Sequence, residues 1–507
     1  MMNAATMITF LVYLIGMLAI GIIMYRRTND LSDFVLGGRS LGPAVAALSA
    51  GASDMSGWLL LGLPGAIYVS GISESWIAIG LAIGAYLNWQ FIARRLRVYT
   101  EVSNNAITIP DFLENRFKDK SRLLRFISAL VILLFFTFYT SSGMVAGAKL
   151  FEASFGLPYQ VALWIGVLVV VSYTFLGGFL AVVWTDFIQG SLMLLALIVV
   201  PIVAITQIGG WNEAVQAVGS INPDHLSMVK GVGAIAIISS IAWGLGYFGQ
   251  PHIIVRFMAL KSPKDVPTAR FIGTTWMILG LYGAIFTGFA GLAYVASQDA
   301  SVFNAVGIGV VNEGGVQMLD DPEKIFIAFS QVLFHPVVAG LLLAAILSAI
   351  MSTIDSQLLV SSSAVAEDFY KAIFRREASD KELVWVGRIA TIAIALIAAI
   401  IAINPESTVL ELVSYAWAGF GAAFGPIIIL SLFWKRITRN GALAGIIVGA
   451  VTVIIWGDFL SGGIFDLYEI LPGFVLNLIV TIIVSLMGKP DPEMEKEFDE
   501  TVAKLYE

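Results

Sequence analysis

Residues 46–60 read AALSAGASDMSGWLL, a run in which Asp54 is the one ionisable side chain among apolar and small residues. Burying an ionised carboxylate in hydrocarbon is costly, so such a residue usually faces a cavity and binds a cation. The glycine and serine residues beside it loosen the helix, which frees backbone carbonyls that can coordinate a hard cation. This stretch therefore predicts an ion site near the middle of a membrane.

The composition of the 507-residue chain indicates a membrane protein. Hydrophobic residues make up 58% of it and charged residues 13%, whereas soluble domains carry roughly 25% charged residues. Its mean hydropathy is +0.87. Because lipid satisfies no backbone polar group, such a chain must cross the bilayer as helices, and we expect its charges to be confined to short connecting segments.

Several classes of function have no support in the sequence. The chain has no cysteine, which excludes disulfides, thiolate metal sites and cysteine nucleophiles. Its three histidines, His225, His252 and His335, are scattered and form no pair suited to zinc or haem. The net charge of −7 comes with no basic patch suited to nucleic acid. We therefore predict no enzyme, no cofactor, no nucleic-acid partner and no obligate protein partner.

Thirteen apolar stretches are long enough to cross a bilayer, for which about 20 residues are needed. The first is not a cleaved signal peptide, because its positive charges follow it. The stretches run approximately over 5–25, 43–71, 74–98, 123–154, 159–178, 184–209, 230–255, 270–297, 334–366, 384–404, 411–435, 440–460 and 466–488.

The loops between these stretches alternate in charge. Lysine and arginine concentrate in the odd-numbered loops, which include Arg26 and Arg27, the basic residues of 94–97, and Arg256. The even-numbered loops are nearly free of them. By the positive-inside rule, we expect the amino terminus outside and the acidic tail from Lys489 onward in the cytoplasm.

Two stretches are interrupted in a similar way. The second contains Gly51, Gly57 and Pro64, and the seventh contains AWGLGYFGQPH at 242–252. Such breaks expose backbone that can serve a ligand, although glycine in membrane helices also permits close packing, the role we assign to 418–426. Because the two breaks are five stretches apart, their helices enter from opposite sides, which predicts an inverted repeat of two five-helix units.

The ninth stretch adds two hydroxyl groups at a similar depth. At 1.5 Å per residue, Asp54 and Trp243 lie about 16 and 20 Å into their stretches, and Ser352 and Thr353 about 24 Å into theirs. The hydroxyls are suitable oxygen ligands for Na⁺. They are equally suited to hydrogen bonding with the preceding helical turn.

Four strings give the chain a resemblance to a known family. LGGRSLGP at 36–43, the segment 48–57, the segment 243–252 and SYAWAGFGA at 414–422 resemble the sodium/solute symporter family, and most closely its bacterial members that carry L-proline. The resemblance extends from about residue 8 to about 488. It implies an all-α polytopic membrane protein with a LeuT-like core of two inverted five-helix repeats, one extra helix before it and two after.

This fold divides the chain into six parts. They are a first helix and cytoplasmic loop at 1–42, the first repeat at 43–209, an extracellular loop at 210–229, the second repeat at 230–435, two peripheral helices at 436–488 and an acidic cytoplasmic tail at 489–507.

The resemblance also implies roles for individual residues. The sodium site would comprise the carbonyls of Ala52, Met55 and Ala349 and the hydroxyls of Ser352 and Thr353, with Asp54 needed for sodium coupling. The substrate pocket would comprise Ser56, Gly57, Trp58, Tyr139, Trp243, Tyr247 and Pro251. From the residues alone, Tyr139 is better explained by lipid contact or core packing.

Three charged residues near the cytoplasmic side remain open to two interpretations. Arg39 and Asp186 match polar positions of the family, and both are equally compatible with solvated loop charges. Asp355 lies one helical turn from Ser352. With Asp186 it would form a sodium exit path, or it would pair with a polar group on a neighbouring helix.

The resemblance predicts a sodium-coupled transporter of the bacterial plasma membrane that imports L-proline by alternating access. Its partners would be L-proline, Na⁺ as the coupling ion, and the lipid bilayer. The alternative is the same fold carrying a betaine, a carboxylate or a sugar. A channel or a sensor is disfavoured by the paired broken helices.

Overall fold

The computed structural model describes residues 4–25, 31–175, 178–404, 407–489 and 491–505. Over these residues it is predominantly helical, and ten helices are long and apolar enough to cross a membrane. Two shorter apolar helices accompany them. These findings confirm a polytopic helical membrane protein. Arg26 and Arg27, which we predict in the first cytoplasmic loop, lie outside the described residues.

Most hydrophobic stretches form one continuous helix each. These helices are Ala4–Tyr25, Leu123–Phe155, Tyr159–Thr174, Phe179–Ile208, Val266–Ser297, Pro336–Ser363, Asp380–Ile401, Val409–Phe433, Arg439–Phe459 and Ile470–Met487. Three other stretches are interrupted by turns of different pitch. In the first, Trp58–Gly62 lies between helices Pro43–Asp54 and Leu63–Ser70. In the second, Asn88–Ile92 lies between Ser75–Leu87 and Ala93–Val102. In the third, Trp243–Gly249 lies between Ala234–Ala242 and Pro251–Met258.

The connecting segments contain more regular structure than the sequence predicts. Short helices lie at Leu31–Leu36, Ile109–Arg116, Trp211–Ile221, Ala300–Asn304 and Ile325–Val332, and an antiparallel hairpin pairs Val310–Glu313 with Val316–Leu319. The hairpin departs from the all-α expectation. The acidic tail also folds, as helix Pro492–Lys504, whose Phe498 packs against Tyr99 and Arg116.

The expectation that charges are confined to connecting segments is wrong. Lys149, Asp186 and Arg256 all lie within helices and are buried. Each has an opposite charge inside the protein: Lys149 Nζ lies 2.6 Å from Glu323 Oε2, and Arg256 Nη2 lies 3.3 Å from Asp186 Oδ2. A buried charge is tolerated when it is paired in this way.

Some predicted helix ends are also wrong. Arg94, Arg95 and Arg97, which we count with the following loop although the predicted stretch 74–98 contains them, belong to helix Ala93–Val102, which ends four residues later than predicted. Arg97 is buried because its Nε donates to the carbonyl of Leu260 at 2.6 Å and its Nη1 pairs with Glu101. Hydrogen bonds of this kind extend a helix beyond the point where its sequence ceases to be apolar.

The two broken helices run in opposite directions beside each other. From here on, the first broken helix denotes 43–70 and the second denotes 234–258. Leu41, before the first, pairs with Leu260, after the second. At the breaks, Tyr247 donates a hydrogen bond to Asp54. This antiparallel arrangement places both breaks at the same level.

Glycine lets helix Ser75–Leu87 pack directly on the second broken helix. A Cβ atom at Gly84 would lie 2.2 Å from the carbonyl oxygen of Gly244, and one at Gly80 would lie 2.4 Å from that of Ile241. The backbones are therefore in contact, as is common where small residues line a membrane helix interface. The contact brings Asn88, at the end of this helix, to the second break.

Candidate functional site

The first break exposes the carbonyl of Ala52. Helix Pro43–Asp54 ends at Met55, whose φ and ψ of −80° and 75° are not helical. In a continuous helix the amide of Ser56 would donate to Ala52, but here it donates to the carbonyl of Asp54 at 2.9 Å. The Ala52 oxygen is thus free to accept hydrogen bonds from outside its own helix.

The second break is longer. The chain passes from helix Ala234–Ala242 into a 3₁₀ segment at Trp243–Gly249, then through extended Gln250, and becomes helical again at Pro251. Proline suits this first helical position because it has no amide hydrogen to satisfy and its φ is already helical.

Four of the five predicted sodium ligands lie together. Ser352 Oγ and Thr353 Oγ1 donate to the carbonyl of Ala52 at 2.8 and 3.4 Å. The same hydroxyls approach the carbonyl of Ala349 at 3.3 and 3.2 Å. The hydroxyls therefore contact the preceding turn, which is one of their two predicted roles, and they also reach the first break. Met55, the fifth predicted ligand, lies at the break itself.

These oxygens suit a hard monovalent cation. Ser352 and Thr353 are 0% and 2% exposed. Carbonyl and hydroxyl oxygens are ligands that hard cations prefer. The two hydroxyls can also rotate, so that their lone pairs face an ion instead of their hydrogens facing the carbonyls. We refer to the oxygens of Ala52, Ala349, Ser352 and Thr353 as the oxygen cluster.

The carboxylate of Asp54 joins the two breaks. It is 3% exposed, and one of its oxygens accepts a hydrogen bond from the hydroxyl of Tyr247. The other oxygen, Oδ1, has no hydrogen-bond partner among the described residues. A cavity of about 20 Å³ lies beside Asp54 and is lined also by Asn88 and Thr274. A cavity of this size holds about one water molecule.

Aromatic rings surround the breaks. The ring centroids of Trp58 and Trp243 are 6.3 Å apart, and those of Trp243 and Trp417 are 6.4 Å apart. Tyr247 meets Trp417 edge-on at 5.1 Å, and Tyr468 lies 5.3 Å from Trp243. The indole Nε1 of Trp417 also donates to the carbonyl of Trp243 at 2.7 Å. The cluster combines apolar faces with a few fixed polar atoms.

Three other predicted pocket residues, Ser56, Gly57 and Tyr139, lie at the first break or face it. Ser56 Oγ accepts from the amide of Trp58 at 3.3 Å, and a Cβ at Gly57 would lie 2.7 Å from that of Ala146. Tyr139 is fully buried and its hydroxyl donates to the carbonyl of Asp54 at 3.3 Å. Lipid contact is therefore the wrong explanation for Tyr139.

Asp186 belongs to a buried polar cluster and not to a solvated loop. It is 0% exposed on helix Phe179–Ile208 and accepts from Ser49 Oγ at 2.7 Å as well as pairing with Arg256. Arg256 also donates to Ser356 at 2.6 Å, and Ser356 Oγ approaches Asp355 Oδ1 at 3.3 Å. Asp186 and Asp355 thus contact the same small network.

Arg39 lies just before the start of the first broken helix and connects three segments there. It donates to Asn105 Oδ1 at 2.9 Å and to the carbonyls of Met258 and Ala106 at 2.6 and 2.8 Å. Burial, together with the nearby charge of Arg97, lowers the pKa of Arg39 to about 10. Arg39 therefore remains protonated at neutral pH. Its guanidinium holds these segments together by hydrogen bonds and is not a fully solvated loop charge.

Sequence reasoning missed several residues of the site. Asn88 Nδ2 donates to the carbonyl of Tyr247 at 2.9 Å. Trp417, Arg256 and His252 also contact the breaks or the polar cluster. The sequence holds some indications of them, because Asn88 is a polar residue in an apolar stretch, and Trp417 and His252 lie within the strings that carry the family resemblance.

Comparisons of the sequence with known proteins agree with one another. A model of the sodium:solute symporter family matches residues 34–449. The chain is 55% identical to the sodium/proline symporter of Escherichia coli (strain K12), over 99% of this chain and 97% of the relative. It is 53% identical to the osmoregulated proline transporter OpuE of Bacillus subtilis (strain 168), over 96% of each chain.

Comparisons of the structure identify the same type of fold. A substrate-bound, outward-open Na⁺-coupled sialic acid symporter matches with a TM-score of 0.78 at 20% identity, over 96% of this chain and 99% of that one. Mhp1, a nucleobase-cation-symport-1 family transporter in a closed conformation with bromovinylhydantoin bound, matches with a TM-score of 0.54 at 16% identity, over 94% and 99%. These similarities show a fold in common.

Proposed function

Because the chain belongs to the sodium:solute symporter family, we propose that its two broken helices hold the Na⁺ ion and the L-proline molecule that it transports. The protein is a sodium-coupled secondary symporter that imports L-proline by alternating access. The observation that carries this conclusion is the 55% identity to a sodium/proline symporter over nearly the whole of both chains. The relatives are transporters, and the site requires no chemical change in the substrate.

Uptake into proteoliposomes tests this function. With an imposed inward sodium gradient, labelled L-proline should accumulate, and an inside-negative potential should add about 2.3 kcal/mol per charge per 100 mV. A competitor panel of a betaine, a carboxylate and a sugar distinguishes proline from the other solutes such a fold could carry. Accumulation of one of these in preference to proline would overturn the substrate assignment and leave sodium coupling intact.

The oxygen cluster, with the Met55 carbonyl, is the proposed sodium site. The support is the convergence of its oxygens at the first break, where the Ala52 carbonyl has lost its helical partner. Asp54 lies two residues further along and supplies the negative charge that a buried cation needs nearby. Na⁺ is the coupling ion, and we propose no other cofactor.

Replacing either hydroxyl should weaken sodium activation. We expect Ser352→Ala and Thr353→Ala to raise the sodium concentration for half-maximal uptake by about tenfold, since a contact between a charged group and a polar one is worth about 1.5–3 kcal/mol. The maximal rate should change less. The measurement is initial proline uptake over a sodium series.

A matched control lies on the same helix. Ser363 is buried, and among the described residues its hydroxyl donates to the preceding turn, at the carbonyl of Leu359. Ser363→Ala should therefore leave the sodium dependence unchanged. If the Ser352 or Thr353 variant instead lost proline affinity at saturating sodium, these hydroxyls would belong to the substrate site.

The aromatic cluster and the first break form the proposed proline pocket. Proline has an apolar ring and a cationic nitrogen, and indole and phenol faces complement both. We assign the pocket to Ser56, Gly57, Trp58, Tyr139, Trp243, Tyr247 and Pro251. We assign gating and ion exit to Arg39, Asp186 and Asp355. For Asp186 this role requires that its carboxylate release Arg256 and bind the ion in its place.

Removing the indole at the centre of this cluster should weaken proline binding. We expect Trp243→Ala to raise the proline dissociation constant by about tenfold or more, because the loss of apolar burial and of cation–π attraction together exceeds about 1.4 kcal/mol. Sodium binding should suffer less. Equilibrium binding of labelled proline to purified protein measures this, with Trp211→Ala, an exposed tryptophan that stacks on Phe289, as the control. Unchanged proline affinity would remove Trp243 from the pocket.

We infer thirteen membrane segments and two repeats from the antiparallel broken helices. The repeats are 43–209 and 230–435, flanked by 1–42 and by 436–488, with the outer loop at 210–229 and the cytoplasmic tail at 489–507. Charge alternation supports an external amino terminus. The natural absence of cysteine allows a direct test, because single cysteines introduced at Lys120 and Gly315 should be labelled from opposite sides of the membrane.

A further inference from the structure

His252 is a buried side chain whose polar atoms lack partners. It is 0% exposed, and neither Nδ1 nor Nε2 has a hydrogen-bond partner among the described residues. A neutral imidazole carries one N–H donor and one acceptor. Leaving a buried donor unpaired is costly, so this donor is expected to serve a group that is not part of the chain.

The position of His252 relates it to the substrate pocket. It follows Pro251, at the start of helix Pro251–Met258. Its ring meets that of Tyr139 edge-on at 5.7 Å and that of Phe136 at 5.4 Å. The hydroxyl of Tyr139 in turn contacts the carbonyl of Asp54 at the first break. His252 therefore lies directly after the second break, and its neighbour Tyr139 contacts the first.

The local field at His252 favours an anion. The amino-terminal end of a helix carries a partial positive charge and attracts negative groups. Arg256, one turn further along, donates from Nη1 to the carbonyl of His252 at 2.5 Å, although its charge is balanced by Asp186. A ligand that accepts a hydrogen bond from His252 should therefore be negatively charged.

We propose that the imidazole of His252 donates a hydrogen bond to the α-carboxylate of the transported amino acid and thereby selects substrates that carry a free carboxylate. The inference rests on the proposed function, because it assumes an amino-acid substrate between the breaks. In this arrangement the aromatic cluster holds the proline ring, and His252 with the helix terminus holds the opposite, charged end of the molecule.

Substrate analogues provide the test. L-Prolinamide keeps the ring and the cationic nitrogen of proline but replaces the carboxylate by a neutral amide. The quantity to measure is the ratio of its dissociation constant to that of L-proline, obtained by competition on purified protein. His252→Phe keeps the ring contacts with Phe136 and Tyr139 and removes both nitrogens. We expect it to lower the ratio by about tenfold or more, chiefly through weaker proline binding.

Two further variants separate recognition from structure. His252→Gln retains an N–H donor and should keep most of the discrimination. Phe136→Leu alters the other ring beside His252 without touching a polar atom, and it should keep the wild-type ratio even if both ligands bind less well. If His252→Phe fails to reach the membrane, His252→Leu compared with His252→Gln makes the same measurement.

The outcome is decided by the ratio and not by activity alone. An unchanged ratio in the variants without a donor would overturn the proposal and leave His252 with a packing role. The proposed function fails separately, if wild-type protein does not accumulate proline with sodium.

Discussion

Asp54→Asn is expected to abolish sodium-stimulated proline uptake while the protein still folds and reaches the membrane. The carboxylate is buried at the first break, two residues from the Ala52 carbonyl, and its charge offsets that of a bound cation. Asparagine has nearly the same shape and retains an oxygen that can accept from Tyr247, so the contact between the breaks can survive. The measurement is initial uptake with and without a sodium gradient, normalised to protein in the membrane.

Two further variants separate the charge of Asp54 from its hydrogen bond. Asp54→Glu keeps the charge and should retain a fraction of the sodium response. Tyr247→Phe removes the hydroxyl donor and leaves the charge, so sodium stimulation should persist even if proline affinity falls. A sodium response in Asp54→Asn equal to that of the wild type would mean that the coupling charge lies elsewhere, for which the buried carboxylates of Asp186 and Asp355 are the candidates.

The oxygen cluster is the part of the site that the sequence predicts best. Asp54 and the pair Ser352 and Thr353 are polar residues within stretches that are otherwise long and apolar enough to cross a membrane, and costly polar residues of this kind face the interior of a helix bundle. Their calculated depths place them near the same level. In the structure, the two hydroxyls reach the carbonyl of Ala52, a residue that only the family resemblance had implied.

Other parts of the site depend on contacts that no local pattern reveals. Asn88 belongs to the site because it reaches the carbonyl of Tyr247, which lies 159 residues away in the sequence. Trp417 belongs to the site because it lies on a third helix, Val409–Phe433, and its indole donates to the carbonyl of Trp243 at the second break. Propensity and spacing describe single helices, and which helix faces which is decided by packing over the whole bundle.

Arg256 shows why a charge at the end of an apolar stretch is ambiguous. In sequence it has the appearance of a cytoplasmic loop residue, and we assigned it to one. In the structure it is 0% exposed and pairs with Asp186, which lies 70 residues away. A solvated charge and one member of a buried ion pair give the same local sequence pattern, which is a single charged residue at the end of an apolar stretch.

This buried pair leads to the largest expected effect on stability. Arg256→Met should lower the free energy of unfolding by about 3–5 kcal/mol, because it leaves the Asp186 carboxylate buried without its partner. Ser49 and Ser356, which Arg256 also contacts, lose their charged donor at the same time. Thermal unfolding of the purified protein in detergent, together with denaturant titration where unfolding is reversible, measures the change.

The ion pair itself is expected to contribute much less than the loss of one partner. The double variant Arg256→Met with Asp186→Leu removes both charges and should recover a large part of the lost stability, since apolar replacements of buried pairs are often neutral. Lys230 and Asp224 provide the control, because they form a pair of 2.7 Å with side chains 70% and 45% exposed. Lys230→Met should therefore cost at most about 1 kcal/mol. If Arg256→Met were no more destabilising than Lys230→Met, the Arg256 guanidinium would not compensate the buried charge of Asp186, and the exchange of Arg256 for an exiting ion would lose its physical basis.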